Sequence, residues 1–195
     1  MNNTSHSGIL FVVSAPAGAG KTTLVNMLTQ ELTHIVRSVS STTRAPRHNE
    51  QDGVDYHFLT QQAFTQQQEE GAFLESATVF GNSYGTSQES VDHHLNEGRH
   101  VILVIDTEGA LTVKKKRPDA VLIFILPPSL EELKRRLLLR GTDSLESITK
   151  RVAAAQRELE MISHYDYHVP NGDLSAAYNI LKSIVIAEEN RIKPL

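Results

Sequence analysis

One stretch constrains this chain more than any other: Ser14-Ala15-Pro16-Ala17-Gly18-Ala19-Gly20-Lys21-Thr22-Thr23. It directly follows an apolar run, Ile9–Val13, and directly precedes Leu24, Met27, Leu28 and Leu32, which recur at helical spacing. A buried strand must therefore end, turn through small residues and open into a helix. Small residues let successive backbone N–H groups curl around an anion, and the helix start presents its unpaired N–H groups and positive dipole end to the same point. The context fits a Walker A phosphate loop, in which Lys21 reaches the β/γ-phosphates and Thr22 can place its hydroxyl on Mg²⁺. The expected nucleotide-binding residues are thus Ala15, Pro16, Ala17, Gly18, Ala19, Gly20, Lys21, Thr22 and Thr23. The strict pattern asks for glycine where Ala15 stands, which Ala satisfies only with a negative φ.

Two further runs, Val101–Ile105 and Val121–Leu126, are apolar throughout rather than alternating. Such runs suit strands covered on both faces. Helical patterns lie between or after them. Leu130, Leu133 and Leu137 form one, opened by a capping box of Ser129 and Glu132 after Pro127 and Pro128. Leu174 to about Arg191 reads as a closing helix. Strands alternating with helices predict an α/β fold, a parallel sheet flanked by helices. From Ser38 to about Gln88 the chain is instead rich in Ser, Thr, Gln and Gly, with short mixed patterns at Tyr56–Leu59 and Phe73–Phe80. This predicts an inserted lobe with small antiparallel strands. Leu133–Glu160, rich in Arg and Glu, reads as two exposed helices around a turn at Gly141–Asp143.

Composition excludes several function classes. The formal net charge is −4, which argues against a nucleic-acid binder. There are no cysteines, hence no disulfide, thiolate metal site or Cys nucleophile. No apolar run reaches membrane-spanning length, and Met1–Gly8 lacks the features of a signal peptide. The expectation is a cytoplasmic protein without membrane or nucleic-acid partners. Lys114-Lys115-Lys116-Arg117 reads as a solvated helix end, and adjacent His93 and His94 as a poor chelate, their side chains pointing about 100° apart on a helix.

The acceptor side is written in Ser40-Ser41-Thr42-Thr43-Arg44-Ala45-Pro46-Arg47-His48-Asn49-Glu50. Two arginines on a proline-stiffened turn can chelate one phosphate dianion through their guanidinium forks. Tyr56 follows, and Phe80-Gly81-Asn82-Ser83-Tyr84-Gly85-Thr86 offers a second phenol on a glycine-flanked turn. Taken singly, these are ordinary solvated arginines and packed tyrosines.

Taken together and in this order, they resemble the guanylate kinase family. The resemblance runs from about Ile9 to the last helix. It rests on the phosphate loop, Ser40-x-Thr-Thr-Arg-x-Pro-Arg-x-x-Glu50, Phe73-Leu-Glu75, Gly81-Asn-x-Tyr-Gly-Thr86, Ile105-Asp-x-x-Gly109 and Arg140-Gly-Thr142. It implies a nucleoside monophosphate kinase that transfers the γ-phosphoryl of ATP to GMP, giving ADP and GDP, with Mg²⁺ accompanying ATP. It implies a core of residues 1–37, 89–132 and 161–195, a GMP-binding lobe of 38–88 and a lid of 133–160. Arg44, Arg47, Tyr56 and Tyr84 would hold the GMP phosphate, and Glu50 and Gly85 belong to the same site. Ser40, Glu75, Thr86, Asp106 and Gly109 would line the guanine. The phosphate loop from Ala15 to Thr23 would bind ATP. Lys21, Arg44, Arg136, Arg140 and Arg151 would carry the transfer, and Asn171 would lie near the adenine. A monomer or a homodimer is implied, with dGMP a further acceptor to be tested.

Where the family usually has Asp-Ile-Asp, this chain has Val104-Ile105-Asp106, so one carboxylate beside the Mg²⁺ shell is replaced by Val104. Glu108 stands in place of a usual Gln and could compensate, and Pro170 is unusual beside Asn171. The change at Val104 also keeps open a second reading, an interaction module of the same fold that has lost catalysis. The presence of Lys21, Arg44, Arg47 and Glu75 opposes it.

Overall fold

A computed structural model describes residues 7–79, 81–139 and 145–192. Five parallel strands form the main sheet, in the order β2-β7-β1-β8-β9. They are β1 (Leu10–Ser14), β2 (Ile35–Arg37), β7 (His100–Val104), β8 (Val121–Leu126) and β9 (Tyr167–Pro170). The three apolar runs become the three central strands, because only there are both faces covered. β1 lies between β7 and β8, with Val13 beside Val104 on one side and Ile123 on the other. The loop after β1 therefore leaves the sheet between two neighbouring strand ends, where open α/β sheets bind their ligands. Pro170 sits at the end of edge strand β9, a position where a missing N–H is tolerated.

Two apolar layers sandwich the sheet. On one face Phe11, Val13, Ile102, Ile123 and Ile125 meet α1 (Lys21–Glu31), α5 (Leu130–Leu139), α6 (Leu145–Glu160) and α7 (Leu174–Glu189). On the other, Val12, Val101, Leu103 and Leu122 meet α3 (Gln88–Asn96) and α4 (Thr107–Lys116). Side-chain caps start these helices where the sequence supplies them. Asp106 Oδ1 accepts from Gly109 N at 2.7 Å and Asp173 Oδ1 from Ala176 N at 2.8 Å, each worth about 1 kcal/mol. At α5 Ser129 Oγ accepts from Glu132 N at 3.1 Å, but the Glu132 carboxylate turns to Arg135 and Arg136.

The inserted segment folds as a second sheet, β4-β3-β6-β5, with α2 (Gln61–Glu69) packed on it through Phe64, whose ring stacks on Phe73 at 4.7 Å. β3 (Ser41–Thr42) and β5 (Phe73–Val79) both run antiparallel to β6 (Asn82–Ser87). The β3–β4 pair is parallel, with Ser41 beside His57 and Thr42 beside Phe58, which corrects the wholly antiparallel expectation. The reason is the length of the arginine-bearing connection: it carries the chain back along the sheet before β4 (His57–Phe58) enters.

Two other expectations change. The basic run is not simply solvated. Lys114 Nζ donates to the Ala120 carbonyl and Asp166, Lys116 Nζ to the Leu74 carbonyl at 2.6 Å, and Arg117 pairs with Asp92. Nor are α5 and α6 an exposed pair, since Leu133, Leu137, Ile148 and Ala155 are buried in the main core. The expected turn at Gly141–Asp143 lies outside the described residues.

Candidate active site

The phosphate loop is shaped by glycine. Gly18 and Gly20 have φ of +94° and +96°, conformations that disfavour any side chain. Gly20 is also the N-cap of α1, so no side chain occupies the helix's first N–H groups. Lys21 Nζ donates to the carbonyl of Ala15, which is itself buried. Two outside groups hold the loop. Leu133 and Leu137 of α5 pack over Gly18. Asn171, buried at the end of β9, donates from Nδ2 to the Ala19 carbonyl at 2.7 Å, and a Cβ on Gly20 would lie 2.4 Å from that nitrogen. Arg136 Nη2 closes the chain of contacts on the Asn171 carbonyl at 3.2 Å. Asn171 thus braces the loop with its side chain. Asn171→Ala is expected to lower stability by about 1–3 kcal/mol and, with the loop and cleft used as the family resemblance implies, to raise KM for ATP while GMP affinity holds. Thermal unfolding and the two substrate titrations check this.

Across the cleft stands Glu75, buried on β5. Thr86 Oγ1 donates to its Oε1 at 2.6 Å. A Cβ at position 109 would meet Glu75 Oε2 at 2.8 Å, so only glycine leaves room for that carboxylate. Burial pushes Glu75 up to about 7; the Thr86 bond opposes it, nearby Asp106 adds to it and Lys116 opposes it. The linkage has a definite sign. A carboxylate raised from 4.5 to about 7 loses folding stability as pH rises through that interval, since the folded state holds the proton longer. A ligand that needs the ionised form binds better over the same interval. With GMP on this carboxylate, as the family resemblance implies, affinity is expected to weaken about tenfold per unit below pH 7. The phosphate's own titration near pH 6 adds to the fall, and Glu75→Gln isolates it by removing the Glu75 part. Isothermal titration between pH 6 and 8 reads both.

The phosphate arm is less open than two free guanidinium forks. Arg44 Nη2 donates to both oxygens of Glu50 at 2.9 Å, and its guanidinium lies 5.4 Å from the Tyr56 ring centroid. Glu50 Oε2 also accepts from Arg47 N at 2.8 Å. Glu50, expected as a direct contact, spends its carboxylate on the two arginine positions. Arg47, Tyr56 and Tyr84 reach the cleft wall, and the two phenol rings sit edge to face at 6.0 Å. Burial raises Tyr56, which keeps its phenol a proton donor. Gly85 is required by packing, since a Cβ there would meet the Phe73 ring at 2.9 Å.

The phosphate loop and the small sheet share one cavity of about 260 Å³. Ala15, Ala17 and Lys21 line it from the loop, Ser40, Glu75 and Tyr84 from the small sheet, Asp106 and Val104 from the end of β7. α6 adds Arg151 and Glu158. Arg140 lies outside the described residues. Arg136 does not line this cavity; it pairs with Glu132 and Asn171 behind the loop. Glu108 is exposed and does not line the cavity that Val104 lines. Sequence reading missed Glu158. The available signal was its spacing of seven from Arg151, which returns a helix to the same face. Burial pushes Glu158 up to about 7, with Lys21 opposing, Asp106 adding and Arg157 opposing.

Two histidine groups lie elsewhere. On α3, His93, His94 and Glu97 bring their ligand atoms within 4.8 Å of one another, so adjacency does not keep the two rings apart as expected. His34 and His100 both meet Glu189. His100 Nδ1 accepts from Ile9 N, which places its proton on Nε2 and directs that nitrogen to Glu189 rather than to a metal.

Comparison with known proteins decides the family. The guanylate kinase family model matches residues 7–188. The chain belongs to the guanylate kinase family. A guanylate kinase of Protochlamydia amoebophila is 54% identical over 185 residues, covering 95% of this chain and 93% of that one. One from Clostridium perfringens is 47% identical over 191 residues, covering 98% and 88%. The crystal structure of guanylate kinase from Anaplasma phagocytophilum superposes with a TM-score of 0.80 at 34% identity, covering 95% and 88%. The parallel sheet flanked by helices is thus the guanylate kinase fold, and the phosphate loop, Arg47, Glu75, Tyr84 and Asp106 line one cleft. Guanylate kinases are ATP:GMP phosphotransferases. Among the described residues no helix is long and apolar enough to cross a membrane.

Proposed function

We propose that this cleft carries out the guanylate kinase reaction, transfer of the γ-phosphoryl of ATP to GMP, with the residues divided as follows. The loop from Ala15 to Thr23 takes the ATP phosphates through its backbone N–H groups and Lys21. Glu75 accepts from N1–H and the 2-amino group of guanine, steadied by Thr86, with Ser40, Asp106 and Gly109 around the ring. Arg44, Arg47, Tyr56 and Tyr84 hold the GMP phosphate, and Glu50 sets the two arginines. Arg151, with Arg140, supplies positive charge from residues 133–160, which act as the lid over the 38–88 lobe and the remaining core, while Arg136 holds Asn171 behind the loop. The observation that carries this reading is the shared cavity: Lys21 and Glu75 line the same space.

Mg²⁺ with ATP fits the donor set. Thr22 opens α1 beside Lys21, Asp106 follows the adjacent strand, and Glu158 Oε2 is a buried oxygen without a hydrogen-bond partner among the described residues. When bound, the ion neutralises phosphate charge and orients the γ-phosphoryl. No side-chain general base is needed, because the acceptor is already a phosphate oxygen. Catalysis is positioning plus charge neutralisation, and excluding water keeps ATP from hydrolysis.

The test is a coupled ADP-release assay with ATP and Mg²⁺ against GMP, dGMP, AMP, CMP, UMP and dTMP. Turnover with GMP and little with AMP is expected, and the dGMP arm gives the sugar tolerance. GMP binding without any turnover would instead favour the interaction-module reading. A cytoplasmic setting, without nucleic-acid or membrane partners, accords with the composition.

A further inference from the structure

Glu158 is assigned to neither nucleotide in the division above, yet its placement is specific. It projects from the same face of α6 as Arg151, into the cavity shared by Lys21 and Asp106. Its Oε2 is buried and has no hydrogen-bond partner among the described residues. A carboxylate oxygen in that condition is unfavourable unless something arrives to donate to it. The charges facing it are Lys21 and Arg157, which attract, and Asp106, which repels. On the strand beside the phosphate loop Val104 pairs with Val13, so the strand end offers Asp106 and no second carboxylate. Phosphate-loop enzymes share Mg²⁺ between the loop hydroxyl and a carboxylate of this region, and Mg²⁺ keeps several of its waters. Those waters are donors, and a partnerless carboxylate oxygen is their complement.

We propose that Glu158 is a positioning residue that accepts hydrogen bonds from the water shell of the Mg²⁺ carried in with ATP, completing from α6 the carboxylate set that Asp106 begins from β7. This rests on the ATP site proposed above. The role of the lid helix is then to finish the metal's surroundings as well as to deliver arginine.

The probe is Mn²⁺, titrated into the enzyme with β,γ-imido-ATP and GMP present and followed by electron paramagnetic resonance. Glu158→Gln is expected to hold Mn²⁺ about tenfold more weakly, with metal-free affinities for both nucleotides within about twofold of wild type and no loss of thermal stability. Glu158→Asp, which keeps the charge, is expected to recover part of the loss, and it serves as the test variant should the Gln form not fold. Unchanged Mn²⁺ affinity in Glu158→Gln overturns the proposal. So does a loss of GMP affinity without loss of Mn²⁺ affinity, which would assign the carboxylate to the acceptor's ribose. Failure of wild type to bind β,γ-imido-ATP would remove the ATP site itself, a result distinct from either.

Discussion

Lys21→Ala is expected to lower turnover about a thousandfold or more while GMP binds as before. Removing one preorganised group that meets developing charge commonly costs 10²–10³ in rate, and a lysine between two phosphates stands at the upper end. Lys21 leaves from the first turn of α1 and is held over the loop by the Ala15 carbonyl. The groups assigned to GMP belong to other elements: the segment before β4, β5, β6 and α4. The coupled assay gives kcat, and isothermal titration gives the GMP dissociation constant. Equal loss of both would mean that donor and acceptor halves are not separable.

Glu75→Gln is expected to reduce the lead of GMP over AMP in kcat/KM by tens to about a hundredfold, the range of one bidentate base contact. Glutamine keeps the volume and one acceptor oxygen, to which Thr86 can still donate. Its amide N–H₂ would face the donors of guanine, whereas adenine offers an acceptor at that edge. The fold should be undisturbed, since the substitution removes a buried charge rather than a packing contact. An unchanged GMP/AMP ratio would take Glu75 out of base recognition.

Most of the core was legible because it depends on patterns that need no partner. The apolar runs, strand-sized and flanked by turn residues, read as buried strands, and the small residues before Lys21 read as an anion-binding turn. The site residues were legible as types in order, through the family resemblance. What sequence could not supply was who occupies whom. Glu50 looks like a ligand contact until Arg44 is seen on both of its oxygens. Asn171 reads only as an adenine neighbour, and that its amide also braces the Ala19 carbonyl is seen only in the fold. Lys116 looks solvated because its partner, the Leu74 carbonyl, is distant in sequence. Glu158 was hidden among the many charges of α6, whose inward face is defined only once Ile148 and Ala155 are placed in the core.

The Lys116 bond has a consequence for how the base-side wall can move. It fastens β5, one residue before Glu75, to α4 of the core, and Gly109 of that same helix abuts the Glu75 carboxylate. Any swing of the small sheet must carry α4 along or break this tie. The Glu75 carboxylate therefore sits at a seam anchored to the core, not on a freely hinged wall.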